Sequence, residues 1–501
     1  MARSSSYNKN RTSQSIREVD LSSLSIEKNG GAAQYQQLYR QLRGMIMHGV
    51  LRPGMRLPST QALSSDLGVA RNTVITAYEL LETEGYIETA HGTLARIADI
   101  PSFSGVGTRR LSMKMAGNLS GRGRSLVEHD YQIGSFDRVM LQHGMPDMRE
   151  FPVNIWRRLI SARLKTEFGD LYGYHSFSGH RLLREAIASY INTSRGVVCG
   201  PDQVWITNGA QGAFNLLAYL FIDPGDEVLM EEPGYIGAQA AFSAAGARLQ
   251  PLFVDHSGWN LNKAESFCPR LIYLTPSCQF PLGVTMRMEQ RIRITEYARR
   301  KNALIIEDDF DSEYRFSSKS IPSLQGIDRY GRVIYVGSFS KTLFPSLRTG
   351  FIIFPGEDID EISKAGFLLG KNPSLFIQAA LGDFIREGHF SRHLRRMRRI
   401  YGRRRSRFIQ LASDQLGKWL APVESRAGLQ TLWKLSPGMD DKHISRLAAG
   451  ASLEVAPLST HYQHGSPQQG LILGYAAMDE EITLRSLAIL GSILESCTSS
   501  F

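Results

Sequence analysis

The segment from Gly337 to Gly350 carries Ser338, Ser340, Lys341 and Arg348 close together. A lysine amine forms a C=N bond with an aldehyde, neighbouring hydroxyls hydrogen-bond phosphate oxygens, and a guanidinium suits a phosphate dianion. Together these groups describe a seat for an aldehyde cofactor that bears a phosphate, which points to pyridoxal phosphate. Upstream, Thr207 to Gln211 open an apolar helical run, and small residues at a helix start let backbone amides approach a phosphate. Tyr235, shortly after Glu231 and Glu232, can lie flat against a planar ring, although a tyrosine taken alone reads sooner as core packing. Glu307, Asp308 and Asp309 follow a strictly apolar run. A carboxylate there can pair with a protonated pyridine nitrogen, Asp308 being the first choice and Asp309 the second. Three clustered acids can instead ligate Mg²⁺. Each match is unspecific by itself; their order along the chain, each near the end of an apolar run, is what carries the inference.

The elements that must position these groups are short apolar runs at 204–207, 227–230, 271–274, 303–306, 333–336 and 350–354, separated by amphipathic helices. Such alternation predicts an α/β domain with a mainly parallel sheet, whose ligands bind beyond the carboxyl ends of the strands. Further on, the arginines from Arg392 to Arg405 interleave with Leu394, Met397, Ile400 and Tyr401. That spacing predicts a long solvated helix with one core face, in preference to a second nucleic-acid surface.

The first part of the chain has a different character. Leu38, Leu42, Met45 and Ile46 recur at helical spacing before the Arg52–Gly54 turn. A second helix follows Ser59 as N-cap and stops at Gly68; a third begins at Arg71 and turns Val74, Ala77, Leu80 and Leu81 inward. Residues 86–97 read as a hairpin with its tip at His91 and Gly92. Three helices and a hairpin make a winged helix-turn-helix, in which the start of the third helix meets base edges of double-stranded DNA. Arg71 suits guanine, Asn72 adenine, and Thr73 a phosphate or a thymine methyl. Arg56 and Ser59 are placed to contact the phosphate backbone and His91 to enter the minor groove.

At 501 residues the chain should divide into domains, and a net charge of +10 is compatible with nucleic-acid binding without proving it. The expected division is a disordered arm over 1–31, a winged helix-turn-helix over 32–98, a linker over 99–130 and a cofactor-binding domain over 131–501. Arg109, Arg110, Arg122 and Arg124 in the linker either touch phosphates or keep it solvated. Four scattered cysteines, Cys199, Cys268, Cys278 and Cys497, suggest neither a zinc site nor a disulfide framework, and no run is long and apolar enough for a membrane span. A reducing, cytoplasmic setting is expected, with no metal and no membrane partner.

These motifs resemble the MocR group of GntR-type bacterial regulators, in which a winged helix-turn-helix is fused to a fold-type I aminotransferase-like domain. The resemblance runs from about Gln34 to Ala477. It rests on Leu57–Ser59, Leu67–Val69, Arg71–Val74 and Glu84–Tyr86 in the first domain. In the second it rests on Gly144–Asp147, Phe151–Trp156, Gly173–Gly179, Asn208–Gln211, Asp223–Asp226, Glu307–Asp309 and Ser340–Arg348. It implies a Schiff base on Lys341, Asp308 at the pyridine nitrogen, Tyr235 stacked on the ring, and Ala210, Gln211, Ser338, Ser340 and Arg348 at the phosphate. Tyr174 matches a tyrosine that reaches the phosphate from a partner subunit, which implies a homodimer.

Departures from the pattern concern the substrate side. Phe310 stands where a tyrosine usually bonds the cofactor's phenolate oxygen, and Cys278 and Gln430 each replace a histidine. Leu471 to Leu473 cover the place where catalytic relatives present an arginine to a substrate carboxylate; Arg426 is a candidate substitute, read in preference as a surface residue. The expected function is therefore transcription regulation by a pyridoxal-phosphate-dependent, DNA-binding homodimer that senses a small amino compound through Lys341. The alternatives are an active aminotransferase with a tethered DNA domain and a sensor of pyridoxal phosphate itself.

Overall fold

The computed structural model describes residues 21, 24–27, 31–90, 93–99, 119–128, 140–165, 171–173, 178–316, 321–356, 359–369, 373–425 and 427–498. The chain separates into two compact units, Met1–Met115 and Ala116–Phe501. His91, Gly92, Arg109, Arg110, Tyr174 and Arg426 lie outside the described residues.

In the first unit, α1 (Gln34–Met47), α2 (Thr60–Leu67) and α3 (Arg71–Thr83) precede strands β1 (Ile87–Glu88) and β2 (Arg96–Ile97). Leu38, Leu42 and Ile46 of α1 are buried against Val74, Ala77 and Leu81 of α3. The third helix also buries Tyr78, whose hydroxyl donates to the Pro58 carbonyl at 3.0 Å, whereas Leu80 is only half-buried. The Ser59 hydroxyl accepts from the Ala62 amide at 3.1 Å, capping α2, and Gly68 ends it with a left-handed φ of 62°. The wing pairs Ile87 with Ile97, and the preceding segment joins it through Leu57 N–H to the Ala95 carbonyl.

The second unit is organised by an eight-stranded sheet: β3 (Val204–Thr207), β4 (Glu227–Glu232), β5 (Arg248–Asp255), β6 (Gly258–Trp259), β7 (Leu271–Leu274), β8 (Leu304–Asp308), β9 (Val333–Ser338) and β10 (Gly350–Ile353). Their spatial order is β3-β10-β9-β8-β7-β4-β5-β6. Strands β9, β8, β7, β4 and β5 are parallel neighbours, while β10 runs antiparallel to both β9 and β3. This reversal matters, because the start of β10 comes to lie beside the ends of its two neighbours. A second, antiparallel sheet holds β11 (Leu420–Pro422), β12 (Gln430–Leu435), β13 (Ala456–Pro457) and β14 (Gly470–Gly474) in the order β11-β12-β14-β13. Neither this sheet nor β5 was anticipated from the apolar runs; β5 is exposed at both ends, half-buried over Leu249–Pro251, and buries only Leu252 and Val254.

The helix Arg181–Arg195 buries Leu183, Ile187 and Ile191 at every fourth position, and Arg195 ends the same buried stripe. The basic helix runs over His389–Leu416 and buries Phe390, Leu394, Met397, Tyr401 and Phe408. Its arginines are largely spoken for: Arg396 pairs with Glu150, Arg404 with Asp147 and Arg407 with Glu480. They fasten the helix to its own domain. Within the expected linker, Gly121–Glu128 is helical, and Arg122 lies 5.2 Å from the Tyr219 ring centroid. Among the described residues no helix is long and apolar enough to cross a membrane.

Candidate functional site

Lys341 occupies the turn that follows β9, a turn held by its own backbone and by the helix behind it. Leu343 N–H donates to the Phe339 carbonyl, and the Thr342 carbonyl accepts from Tyr314 Oη at 3.3 Å and contacts His393 Nε2 at 3.1 Å. The side chain passes over Gly144, where an added Cβ would stand 2.4 Å from Lys341 Nζ; at φ 63° this position favours glycine on conformational grounds as well. Burial holds the amine below its usual pKa, against the opposing pull of Asp311, Asp308 and Glu454. A larger fraction of uncharged, nucleophilic amine results. Nearby, burial and then the Lys341 charge push His143 down to about 3, so its imidazole is neutral at neutral pH.

The acids after β8 diverge. Strand alternation sends Glu307 and Asp309 to one face and Asp308 to the other. Glu307 lies 3.7 Å from Arg291 and accepts the Leu324 and Gln325 amides. Asp309 is gripped by Arg195 at 2.7 and 3.2 Å and by the hydroxyls of Ser312 and Tyr335. Asp308 receives the Tyr273 hydroxyl at 2.6 Å, and burial pushes its carboxyl up to about 7. With three separate sets of partners the acids do not converge on one ion, and among the described residues no cluster could hold a metal. Of the two aspartates, only Asp308 is left to meet a further cation. Tyr273 and Arg195, which hold these two aspartates, were not among the residues expected from the sequence; the signal was a polar residue inside an otherwise apolar strand or stripe.

The segments that carry the residues expected at a phosphate run together at one rim of the sheet. In the sheet register Gly350 is flanked by Ser338 on β9 and Thr207 on β3. A Cβ on Gly350 would stand 2.8 Å from Gly209 C, so the rim closes only with glycine there. Gly209 begins the helix Gly209–Phe221, which leaves the amides of Ala210 and Gln211 among its unpaired first-turn donors. The Gln211 side chain itself donates to the Gly237 carbonyl at 2.8 Å. Ser340 N–H donates to Ser338 Oγ at 3.2 Å, and Arg348 stands exposed with φ 47° just before β10. Tyr235 is half-buried, edge-on to Phe280 at 5.8 Å and to Phe214 at 6.2 Å. A reactive amine, an unsaturated buried carboxylate, a glycine-lined rim and a helix N-terminus therefore share one end of the sheet, and this donor set fits pyridoxal phosphate.

Phe310 packs edge-on against Phe280 at 5.8 Å. A Cβ on Gly428 would be 3.2 Å from Asp311 Oδ2, 3.4 Å from Gln430 Nε2 and 3.6 Å from Cys278 Sγ, so two of the departures from the family pattern, Cys278 and Gln430, gather with Asp311 around this glycine. Burial pushes the Cys278 thiol far up, so it is a protonated, weakly polar wall. Leu471 and Leu473 are fully buried in one core cluster and Ile472 in another.

In the first unit, Arg71 and Asn72 at the start of α3 are exposed and Thr73 is half-buried. Arg71 Nε reaches Thr60 Oγ1 at 3.4 Å, and Arg56 and Ser59 are exposed beside them.

Residues 34–97 match the family of bacterial regulatory proteins of gntR type, and residues 145–453 match aminotransferase class I and II. The probable rhizopine catabolism regulatory protein MocR of Rhizobium meliloti is 43% identical over 95% of this chain and 97% of its own length. An uncharacterised HTH-type transcriptional regulator of Bacillus subtilis, YdeL, is 32% identical over 89% of this chain and 93% of its own. The structure of LysN, the alpha-aminoadipate aminotransferase of Thermus thermophilus, complexed with N-(5'-phosphopyridoxyl)-L-leucine, superposes with a TM-score of 0.68 at 26% identity, covering 78% of this chain and 98% of that one. A winged DNA-binding unit and a fold-type I domain whose cofactor is pyridoxal phosphate thus make this chain a member of the MocR group of GntR-type transcriptional regulators.

Proposed function

We propose that this regulator reads a small primary amine at Lys341 and reports it through α3. Held beside Lys341, pyridoxal phosphate would supply an aldehyde carbon able to bond a primary amine, that of the lysine or a free one, with no net redox change. In this assignment Asp308 pairs with the pyridine nitrogen, Tyr235 covers the ring, and Ala210, Gln211, Ser338, Ser340 and Arg348 hold the phosphate. Tyr174 completes the phosphate site across a homodimer. The observation that carries the reading is the Lys341 amine, depressed by burial and adjoining both Asp308 and Asp311 at the rim where Ser338, Gly350 and Thr207 meet.

Arg71, Asn72 and Thr73 are assigned to major-groove edges of an operator, Arg56 and Ser59 to its backbone, and His91 to the minor groove. The proposed boundaries are an arm to residue 31, the winged domain over 32–98, a linker over 99–130 and the sensing domain over 131–501, acting in the cytoplasm. An amine changes transcription only if it binds two states of the protein unequally. The lost carboxylate arginine and the Phe310 substitution affect turnover more than cofactor retention, which favours sensing over transamination.

The test is the visible spectrum and operator affinity of wild type and Lys341→Ala across a panel of amines. An amine that shifts both in wild type and neither in the variant supports the reading. Operator affinity that follows pyridoxal phosphate alone, with no amine altering the spectrum, refutes it.

A further inference from the structure

Main-chain pairing between β4 and β7 ends at Met230 and Tyr273, and beyond it side chains join the loops that follow the two strands. Glu231, fully buried, accepts the Thr275 amide at 2.9 Å, the Thr275 hydroxyl at 2.5 Å and the Trp259 indole N–H at 2.7 Å. Gln279, 1% exposed, reaches further along both loops. Its Nε2 donates to the Pro233 carbonyl and to the Phe280 carbonyl, each at 2.7 Å, and lies 3.4 Å from Glu231 Oε2. Its Oε1 accepts the Leu282 amide at 3.0 Å, which decides which end of the side chain is oxygen. Both ends of this one buried amide are therefore bonded to main chain.

These bonds bracket Tyr235. Pro233 stands two residues before it, in the short stretch between the end of β4 and the helix Ile236–Ala244, and Phe280 meets the Tyr235 ring edge-on at 5.8 Å. Phe280 is anchored as well, its N–H donating to Thr275 Oγ1 at 3.0 Å. Gly234 permits the tight path between them, for an added Cβ there would stand 2.2 Å from the Glu231 carbonyl oxygen. Ring contacts tolerate tilt, whereas a buried amide with three main-chain partners does not, because a shift of either loop leaves a carbonyl without its donor.

We propose that Gln279 is a positioning residue for Tyr235: its amide ties the loop after β4 to the loop after β7 and so sets the angle at which Tyr235 covers the cofactor ring. This rests on the assignment of Tyr235 to the ring. Gln279 does not touch the cofactor in this scheme; it acts on cofactor retention through the tyrosine. The sheet itself does not depend on it, since β4 and β7 pair over Val228–Met230 and Leu271–Tyr273 before either loop begins. Losing the amide therefore loosens the ring cover and leaves the strands that carry it in place.

The full-length protein, loaded with pyridoxal phosphate, is passed into cofactor-free buffer and the decay of the visible band is timed in wild type, Gln279→Met, Tyr235→Ala and the double variant. Gln279→Met should release the cofactor about tenfold faster than wild type. The same change made in Tyr235→Ala should speed release by less than about twofold, because the residue it positions is already gone. The circular dichroism of the visible band, which reports how asymmetrically the ring is held, should weaken in Gln279→Met while the far-ultraviolet spectrum is kept. If Gln279→Met does not fold, Gln279→Asn, whose shorter amide cannot reach both carbonyls, carries the same cycle. Release from the Gln279 variant within about twofold of wild type, with Tyr235→Ala fast, overturns this inference and leaves Tyr235 at the ring. Effects that multiply in the double variant show Gln279 acting apart from Tyr235 and overturn it too. Release from Tyr235→Ala as slow as from wild type overturns the ring assignment, and this inference with it.

Discussion

Replacing Arg195 with methionine removes one half of a buried ion pair whose other half, Asp309, is the residue next to Asp308. The guanidinium is 4% exposed and the carboxylate is fully buried, so solvent screens the pair very little. Without Arg195 the Asp309 carboxylate keeps hydroxyl partners, those of Tyr335, Ser312 and Ser277, but no cation beside it to balance its charge. Breaking a buried pair in this way costs about 3–5 kcal/mol. With an unfolding entropy of about 2.1 cal/mol/K per residue over a unit of this size, the melting midpoint should fall by about 4–6 °C. The pH dependence has a definite sign. Burial raises the Asp309 pKa, but Arg195, Ser277 and Tyr335 more than offset it and the carboxyl sits below its usual value. Its contribution is therefore present above the unfolded carboxylate pKa and lost as pH falls through the folded one. In the variant the carboxyl protonates on milder acidification, which relieves the unpaired charge. The gap between wild type and variant should therefore be wider near about pH 8 than near about pH 5. Thermal unfolding followed by circular dichroism at the two pH values measures it, with Arg195→Met/Asp309→Asn expected to recover a large share. A gap under about 1 kcal/mol, or one that widens on acidification, refutes the reasoning.

Tyr273→Phe takes away the Asp308 donor and drives that carboxyl further above about 7, so pyridoxal phosphate affinity near neutral pH should drop by about tenfold and recover as pH rises; a pH-independent loss in a fluorescence titration counts against the pairing role. Gly144→Ala places a methyl group against Lys341 Nζ at a positive φ, so the lysine–cofactor absorbance band should weaken while far-ultraviolet circular dichroism is retained. Loss of the band together with global unfolding would assign Gly144 to folding instead. Asn72→Ala should cost about 1–3 kcal/mol of operator affinity and relax selectivity at one base pair, checked by binding to a set of singly substituted operators.

Every apolar run picked out beyond Val204 is a strand of the large sheet, because strands buried on both faces leave an unbroken apolar signature. Strand β5 was hidden by Arg248, Gln250 and Pro251 in its half-buried first half, and the antiparallel sheet by the scatter of its short members along the C-terminal region. Lys341, Asp308 and the Ser338–Arg348 segment stood out because their chemistry is local in sequence. Arg195, Tyr273 and Asp311 did not, since each acts on a residue far away in the chain and only the fold brings them together. The reversal of β10 was equally invisible, for a four-residue apolar strand carries no mark of its direction.

That reversal bears on the order in which the cofactor's contacts come into being. Lys341 and Arg348 both lie in the connection between β9 and β10, an antiparallel pair joined without a crossover. A short loop closes at little entropic cost, whereas Tyr273 meets Asp308 only after β7 and β8 have paired across an intervening helix. On the assigned roles, a chain still folding acquires its attachment point and phosphate clamp before the ring-binding half is built. Changes within 339–349 should then be felt in how fast the cofactor is captured, and changes at Tyr273 or Tyr235 in how long it stays.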